Sequence, residues 1–311
     1  MNSPTPSSRP SDAAQPAPQS LSLVTTPGFD DYALLDSGRG RKLERFGQVV
    51  VNRPEPQALW QPKLGERDWS GAHAVFSGDE DEDKGRWRID KPVPESWPVK
   101  VRGATMLCRL SGFRHLGLFP EQLPHWDWMV EGVRQVQGER ARVLNLFAYT
   151  GAASLIAAAA GAEVVHVDAS KKAVTWAKEN AAASKLADAP VRWMLDDARK
   201  FVAREVRRGR TYHVVLVDPP KFGRGPNNEV WDVFEHLPDL MRDCVRLLAP
   251  ENARLCLTAY AIRASALAID GLTREVCADR PGNIESGELA IIEQAGGRAL
   301  GTSLFSRWSS R

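Results

Sequence analysis

The stretch "ARVLNLFAYTGAASLIAAAAGAEVVHVD", residues 141–168, decides the fold. An apolar run, ARVLNLFA, reads as a buried strand. A small-residue helix, GAASLIAAAAG, stops at Gly161, and a second apolar run, AEVVHVD, ends on Asp168. Strand, covering helix and strand make the βαβ unit of a parallel sheet. Downstream the alternation continues: helix SKKAVTWAKENAAASK, strand VRWMLD, helix DARKFVAREVRRG, strand YHVVLVD, a longer helix within EVWDVFEHLPDLMRDCVRLLA, and strand ARLCLTA. Nearly continuous apolar strands between amphipathic helices predict a mostly parallel sheet covered on both faces. The end differs. "ESGELAIIEQAGGRALGTSLFSRW" holds two strands around AGG and predicts an antiparallel hairpin closing an α/β, Rossmann-like sheet.

Upstream, residues 21–110 are broken by Pro and Gly and carry short runs such as YALLD, GQVVVN and WRID, which predict a small β-rich N-terminal module. Residues 111–311 form the α/β domain. The first twenty residues, rich in Pro, Ser and Ala, bury too little surface to order themselves. That segment lacks the apolar core of a secretory signal, and one arginine without an amphipathic stripe does not suit an organellar transit peptide. SGDEDEDKG at 77–85 reads as a solvated acidic loop. With 43% hydrophobic and 26% charged residues the composition is that of a soluble globule, and no run is long and apolar enough for a membrane helix. Four cysteines without metal-like spacing suggest reduced thiols, a cytoplasmic protein and no metal site. A net charge of +2 leaves any polyanion partner to local patches.

In such a sheet the ligand sits beyond the carboxyl ends of the strands. The loop after the first strand, NLFAYTG, offers Asn145, Phe147 and Gly151 but no GxGxxG, and no GxxxxGK[ST] occurs anywhere. Dinucleotides and nucleoside triphosphates are therefore disfavoured. The second strand ends on Asp168, placed to accept from both ribose hydroxyls of a nucleoside. The third ends in Asp196 and Asp197, where a carboxylate can accept from an adenine amino group. Acids on successive strand ends, with no phosphate cradle, suit a cationic nucleoside such as S-adenosylmethionine. Each acid has a plainer alternative as a helix cap, for Asp197 before ARKFVARE and for Asp168 before ASKK.

The fourth strand runs into VVLVDPPKFGRGPNN, residues 214–228, where two prolines forbid the chain from continuing as helix or strand. Proline carbonyls left free, together with Asp218, predict a pair of acceptors aimed at an incoming N–H. Phe222 can stack a flat base. Lys221 can neutralise a substrate phosphate or hold Asp218 ionised.

Val143 to Leu248 resembles the class I S-adenosylmethionine-dependent methyltransferases. More narrowly, it is similar to bacterial large-subunit ribosomal RNA methyltransferases with a DPPKF motif. The likeness extends to DYALLDSGRGRKLERFG at 31–47 and GFRHLGLFPEQ at 112–122. It implies that Phe119, Glu121 and Gln122 help enclose the cofactor, and that Asn145, Phe147 and Gly151 line its methionine end. By the same likeness Asp168 holds the ribose, Asp197 and Ala198 meet the adenine, and Asp218, Pro219, Pro220, Lys221 and Phe222 carry the chemistry. Relatives that methylate carbon 5 of cytosine use a cysteine after the fifth strand. Here LTAYAIRAS places Ala261 there, so the nucleophile that ring activation needs is missing and a nitrogen acceptor is favoured.

Local support for RNA comes from Lys200, Arg204, Arg207 and Arg208 on one helix face, from Lys221 and Arg224, and from GRGRKLERFG in the N-terminal module. The reading is methyl transfer to a base nitrogen of ribosomal RNA. Methylation of a protein or small molecule, or a non-catalytic cofactor-binding RNA chaperone, are the alternatives.

Overall fold

The computed structural model describes residues 20–78, 85–260 and 262–311. Residues 1–19, most of the acidic run (79–84) and Ala261 lie outside the described residues. After β1 (Ser22–Thr26) come β2 (Tyr32–Gly38), β3 (Arg41–Phe46), β4 (Val49–Pro54), the short helix α1 (Glu66–Ser70), β5 (Ala74–Gly78) and β6 (Gly85–Ile89). Strands β2 to β6 form a five-stranded sheet. The hairpin of β7 (Trp97–Val101) and β8 (Ala104–Cys108) follows, then a 3₁₀ turn, Pro120–Gln122, that feeds α2 (Leu123–Gln135).

The α/β part runs β9 (Arg142–Leu146), α3 (Ala152–Ala159), β10 (Glu163–Asp168), α4 (Lys171–Ala183), β11 (Val191–Leu195), α5 (Ala198–Arg207) and β12 (Val214–Val217). A small ribbon, β13 (Phe222–Arg224) with β14 (Val230–Asp232), precedes α6 (Val233–Arg246). The chain ends with β15 (Arg254–Ala259), α7 (Ala266–Val276), β16 (Gly282–Ile292) and β17 (Ala299–Ser310).

The eight-stranded sheet has the order β1-β16-β17-β15-β12-β9-β10-β11. Strands β15, β12, β9, β10 and β11 are mutually parallel, and β16–β17 is the expected antiparallel hairpin. The chain moves outward from β9 to β11, then returns to β12 and β15. The reversal falls between β9 and β12, which makes the gap beyond their carboxyl ends the switch point.

Alternate strand residues serve two cores. Val143, Val164, Val214 and Leu216 pack with α2, α3 and N-terminal residues such as Tyr32, Leu34 and Phe46. Leu144, Val165, Val215 and Leu255 pack under α5 and α6. The N-terminal module thus shares a core with the sheet.

Three features depart from the sequence reading. Ser22–Thr26 joins the large sheet, parallel to β16, rather than the module that follows it. Helix α7, between β15 and the closing hairpin, had no strong signal. The chain also does continue as strand after the prolines: β13 starts at Phe222, because Pro219 and Pro220 remove only their own donors and Lys221 carries the chain past them.

Candidate active site

The site grows from register. Leu146 of β9 pairs with Val167 of β10 on one side and Val217 of β12 on the other. The next residue on each strand, Asp168, Phe147 and Asp218, therefore stands at one level on the carboxyl edge. Two strand spacings put the aspartates roughly 10 Å apart, on either side of the loop NLFAYTG.

That loop is strained. Phe147 and Tyr149 adopt left-handed φ of 55° and 49°, and Gly151 follows at 87°. Non-glycine residues in this region cost about 1–3 kcal/mol each and persist where their surroundings fix them. Asp168 supplies part of that fixing, since Oδ2 accepts from the Tyr149 N–H at 2.8 Å. Its Oδ1 accepts from the Ser170 N–H at 2.8 Å, so the helix-start alternative for Asp168 is also realised. Each carboxylate oxygen keeps a further lone pair for a ribose hydroxyl. At Gly151 an added Cβ would lie 3.1 Å from the Ala177 Cβ, so helix α3 starts tight against α4.

Asn145 is buried, and its Nδ2 donates to Ser154 Oγ at 3.0 Å. Ser154 Oγ in turn lies 3.0 Å from Nδ1 of His166, whose pKa burial pushes down to about 3, so the ring is neutral. The chain of bonds turns the Asn145 carbonyl oxygen, an acceptor, away from Ser154.

Segment 117–122 closes the other side. Thr150 Oγ1 donates to the Gly117 carbonyl at 2.6 Å, tying the segment to the loop. The Phe119 ring sits among His115, Tyr149 and Tyr260, with centroids 4.8, 5.6 and 5.3 Å away. Gln122 Nε2 donates to Asp218 Oδ2 at 3.1 Å. Asp218 Oδ1 is buried with no partner among the described residues. Desolvation, and then the buried carboxylate of Glu121, push the Asp218 pKa up to about 8.

One pocket gathers Phe119, Gln122, Asn145, Phe147 and Asp218, together with Tyr149, Thr150, His125 and Thr258. Gly151 shapes its loop, and Asp168 reaches it through the Tyr149 amide. Asp197 does not line it. Asp197 caps α5, accepting from the Lys200 N–H at 3.0 Å, with Arg199 3.8 Å away, and Ala198 is the buried first residue of that helix. Asp196 is taken by an ion pair with Arg204. The capping alternative is what the third strand end displays.

The five motif residues separate as well. The Pro220 carbonyl already accepts the Trp231 Nε1–H at 2.7 Å, which leaves it one lone pair. Pro219 is buried, and its carbonyl accepts no hydrogen bond among the described residues. Phe222 points outward and is 59% exposed; Trp231, 3% exposed, is the aromatic that packs on Phe147, at 4.9 Å. Lys221 forms no ion pair with Asp218; its Nζ lies 5.2 Å over the Phe222 ring.

Two residues escaped the sequence reading. Burial, with Glu121 and Asp218 nearby, pushes the Tyr260 pKa well up, so its hydroxyl is a neutral donor at the end of β15. Neither ring nitrogen of buried His125 has a partner among the described residues. A tyrosine after a strand and a histidine within a helix carry no local signal.

The arrangement suits a cationic adenosyl ligand. It offers a bare buried carboxylate oxygen, an oriented amide oxygen, aromatic walls and no cluster of cations for phosphate. Most of the basic face of α5 is neutralised: Lys200 pairs with Glu229, Arg204 with Asp196 and Arg208 with Glu205. In GRGRKLERFG, Lys42 pairs with Glu55, while Arg41 and Arg45 bond backbone carbonyls, so these cations hold the module together.

Comparison with known proteins places these features. A family model described as "Conserved hypothetical protein 95" matches residues 128–243. A crystal structure of the S-adenosylmethionine-dependent methyltransferase from Agrobacterium tumefaciens is 49% identical, with a TM-score of 0.90, over 93% of this chain and 94% of that one. The ribosomal RNA large subunit methyltransferase K/L of Shewanella frigidimarina is 33% identical over 48% of this chain and 20% of its own length. That of Pseudoalteromonas atlantica is 33% identical over 54% of this chain and 23% of its own. The chain thus spans about a fifth of the length of the curated relatives it matches.

Proposed function

The chain belongs to the S-adenosylmethionine-dependent methyltransferases, and from that premise we propose that it methylates a base nitrogen of large-subunit ribosomal RNA. The observation that carries the proposal is the bare, buried Oδ1 of Asp218 at the switch point, beside a strained loop and an aromatic wall. When bound, the cofactor supplies a methyl group already activated on a sulfonium. The chain need only align an acceptor and exclude water, which is worth about 7–11 kcal/mol.

Asn145, Phe147 and the amides fixed by Asp168 would hold the cofactor, with Asp168 accepting its ribose hydroxyls. Phe119, Gln122 and Tyr260 close the pocket over it. Asp218 and the Pro219 carbonyl accept from the N–H of an amino acceptor, orienting its lone pair and taking up the positive charge that develops on nitrogen. The Gln122 donor fixes one Asp218 oxygen and leaves the other for the substrate. Lys221 within the motif and Arg224 just after it are placed for phosphates.

Large-subunit ribosomal RNA as the substrate is supported by the names of the K/L relatives and by the motif's likeness to that group. Among the described residues no helix is long and apolar enough to cross a membrane. Nucleoside mass spectrometry of ribosomal RNA from wild-type, deletion and complemented cells tests the proposal. A methylated base lost on deletion and restored by the intact gene is expected, and unchanged profiles across all three strains would overturn it.

A further inference from the structure

The β13–β14 ribbon has two unlike faces. Phe222 pairs with Asp232, Gly223 with Trp231 and Arg224 with Val230. Alternation puts Gly223 and Trp231 on the inner side, where Trp231 is anchored by the Pro220 carbonyl and the Phe147 ring. The outer side presents Phe222 and Val230, 59% and 56% exposed, and Phe234 at the start of α6 is another 56% exposed. A rigid inner anchor and an apolar outer face are an unusual use of a three-residue strand.

The ribbon's cations differ from those paired along α5. Arg224 is exposed, and neither its side chain nor that of Lys221 makes an ion pair or hydrogen bond among the described residues. The nearby acids are already engaged: Glu229 holds Lys200, and Asp232 caps α6 by accepting from the Phe234 N–H at 2.9 Å. With Lys200, Arg204 and Arg208 of the α5 region neutralised, Arg224 and Lys221 leave free positive charge beside exposed aromatic surface. Phe222 lies four residues beyond Asp218, within roughly 14 Å of it along the chain.

We propose that the outer face of this ribbon is a platform for an unpaired RNA strand. Phe222 stacks a base within a few nucleotides of the target, while Arg224 and Lys221 meet the adjoining phosphates. The inference rests on the RNA reading above and adds which form of RNA is recognised. A stacking platform needs an open base face, which a strand offers and a duplex hides. Aromatic surface interleaved with unpaired cations matches stacked bases joined by phosphates better than it matches another protein face.

The test is fluorescence anisotropy on the full chain, with a labelled single-stranded ribosomal RNA fragment and its duplex form. Phe222→Ala is expected to weaken single-strand binding about 5- to 150-fold, and Phe222→Trp to restore it. Arg224→Glu should weaken binding and flatten its salt dependence. Calorimetric titration should find cofactor affinity unchanged in all three variants. Wild-type binding that Phe222→Ala leaves intact, or a preference for duplex, overturns the platform alone. So does concentration-dependent self-association that Phe222→Ala abolishes, which would assign the face to a second copy. A wild-type chain that binds neither form of RNA overturns the underlying reading as well.

Discussion

Asp168 and Asp218 stand at the same level on either side of β9, yet they are opposite designs. Asp168 accepts from two backbone amides, one of which holds the left-handed Tyr149. Asp218 receives one side-chain donor and keeps an oxygen that is both buried and bare. Burial raises both pKa values. At Asp168 the amides oppose the shift; at Asp218 the Glu121 field adds to it. A carboxylate satisfied by its own backbone organises a pocket, whereas one left wanting a donor is ready to orient a substrate. The difference teaches that position on the sheet edge does not assign a role; hydrogen-bond saturation does.

The sharpest way to break the comparison is Asp218→Ala. Turnover should fall about 10²- to 10⁴-fold while the cofactor dissociation constant stays within a few fold. Survival of turnover would place the acceptor elsewhere. Asp168→Ala should do the reverse, weakening cofactor binding by roughly 2–4 kcal/mol, about 30- to 1000-fold, as read by calorimetry. Equal effects of the two substitutions on binding would erase the distinction between them.

Gly151→Ala sharpens the organising half. Its positive φ and the 3.1 Å approach to Ala177 predict a loss of about 1–2 kcal/mol in denaturant unfolding, with weaker cofactor binding.

The smallest effect concerns pH. A carboxyl whose folded pKa is raised is protonated in the native state and ionised in the unfolded one between about pH 4 and 8. Native stability therefore falls as pH rises through that window. Asp218→Asn, which stays neutral, should be more stable than wild type by about 0.5–2 kcal/mol above pH 8 and no more stable below pH 4, while losing activity. In the wild type, kcat/KM should fall as pH drops below about 8, since the acceptor must be ionised. A pH-independent difference in melting temperature between the two proteins would show that Asp218 is not the titrating group.

Much of this was legible in the sequence. Strand–helix alternation after residue 141 has a local cause, because each buried strand needs an apolar run and each covering helix an apolar stripe. Acids at strand ends were visible for the same reason. What stayed hidden depends on distant partners. Ser22 pairs with Gly287 at the sheet edge. The Pro220 carbonyl goes to Trp231, eleven residues on. Lys200, Arg204 and Arg208 look like a basic patch until Glu229, Asp196 and Glu205 are found against them. Asp197, expected at the adenine, also caps α5, an outcome that its spacing to Lys200 allowed from the start.

The sequence by itself determined the layered α/β plan, the acids at successive strand ends, and the lack of a GxGxxG or GxxxxGK[ST] motif, because periodicity and short motifs are properties of neighbouring residues. Only the tertiary structure decided which acid is saturated and which is bare, which aromatic is packed and which is exposed, and which cations remain unpaired. Burial and hydrogen-bond satisfaction are set through space: Gln122, which leaves Asp218 half-satisfied, lies 96 positions before it in the chain.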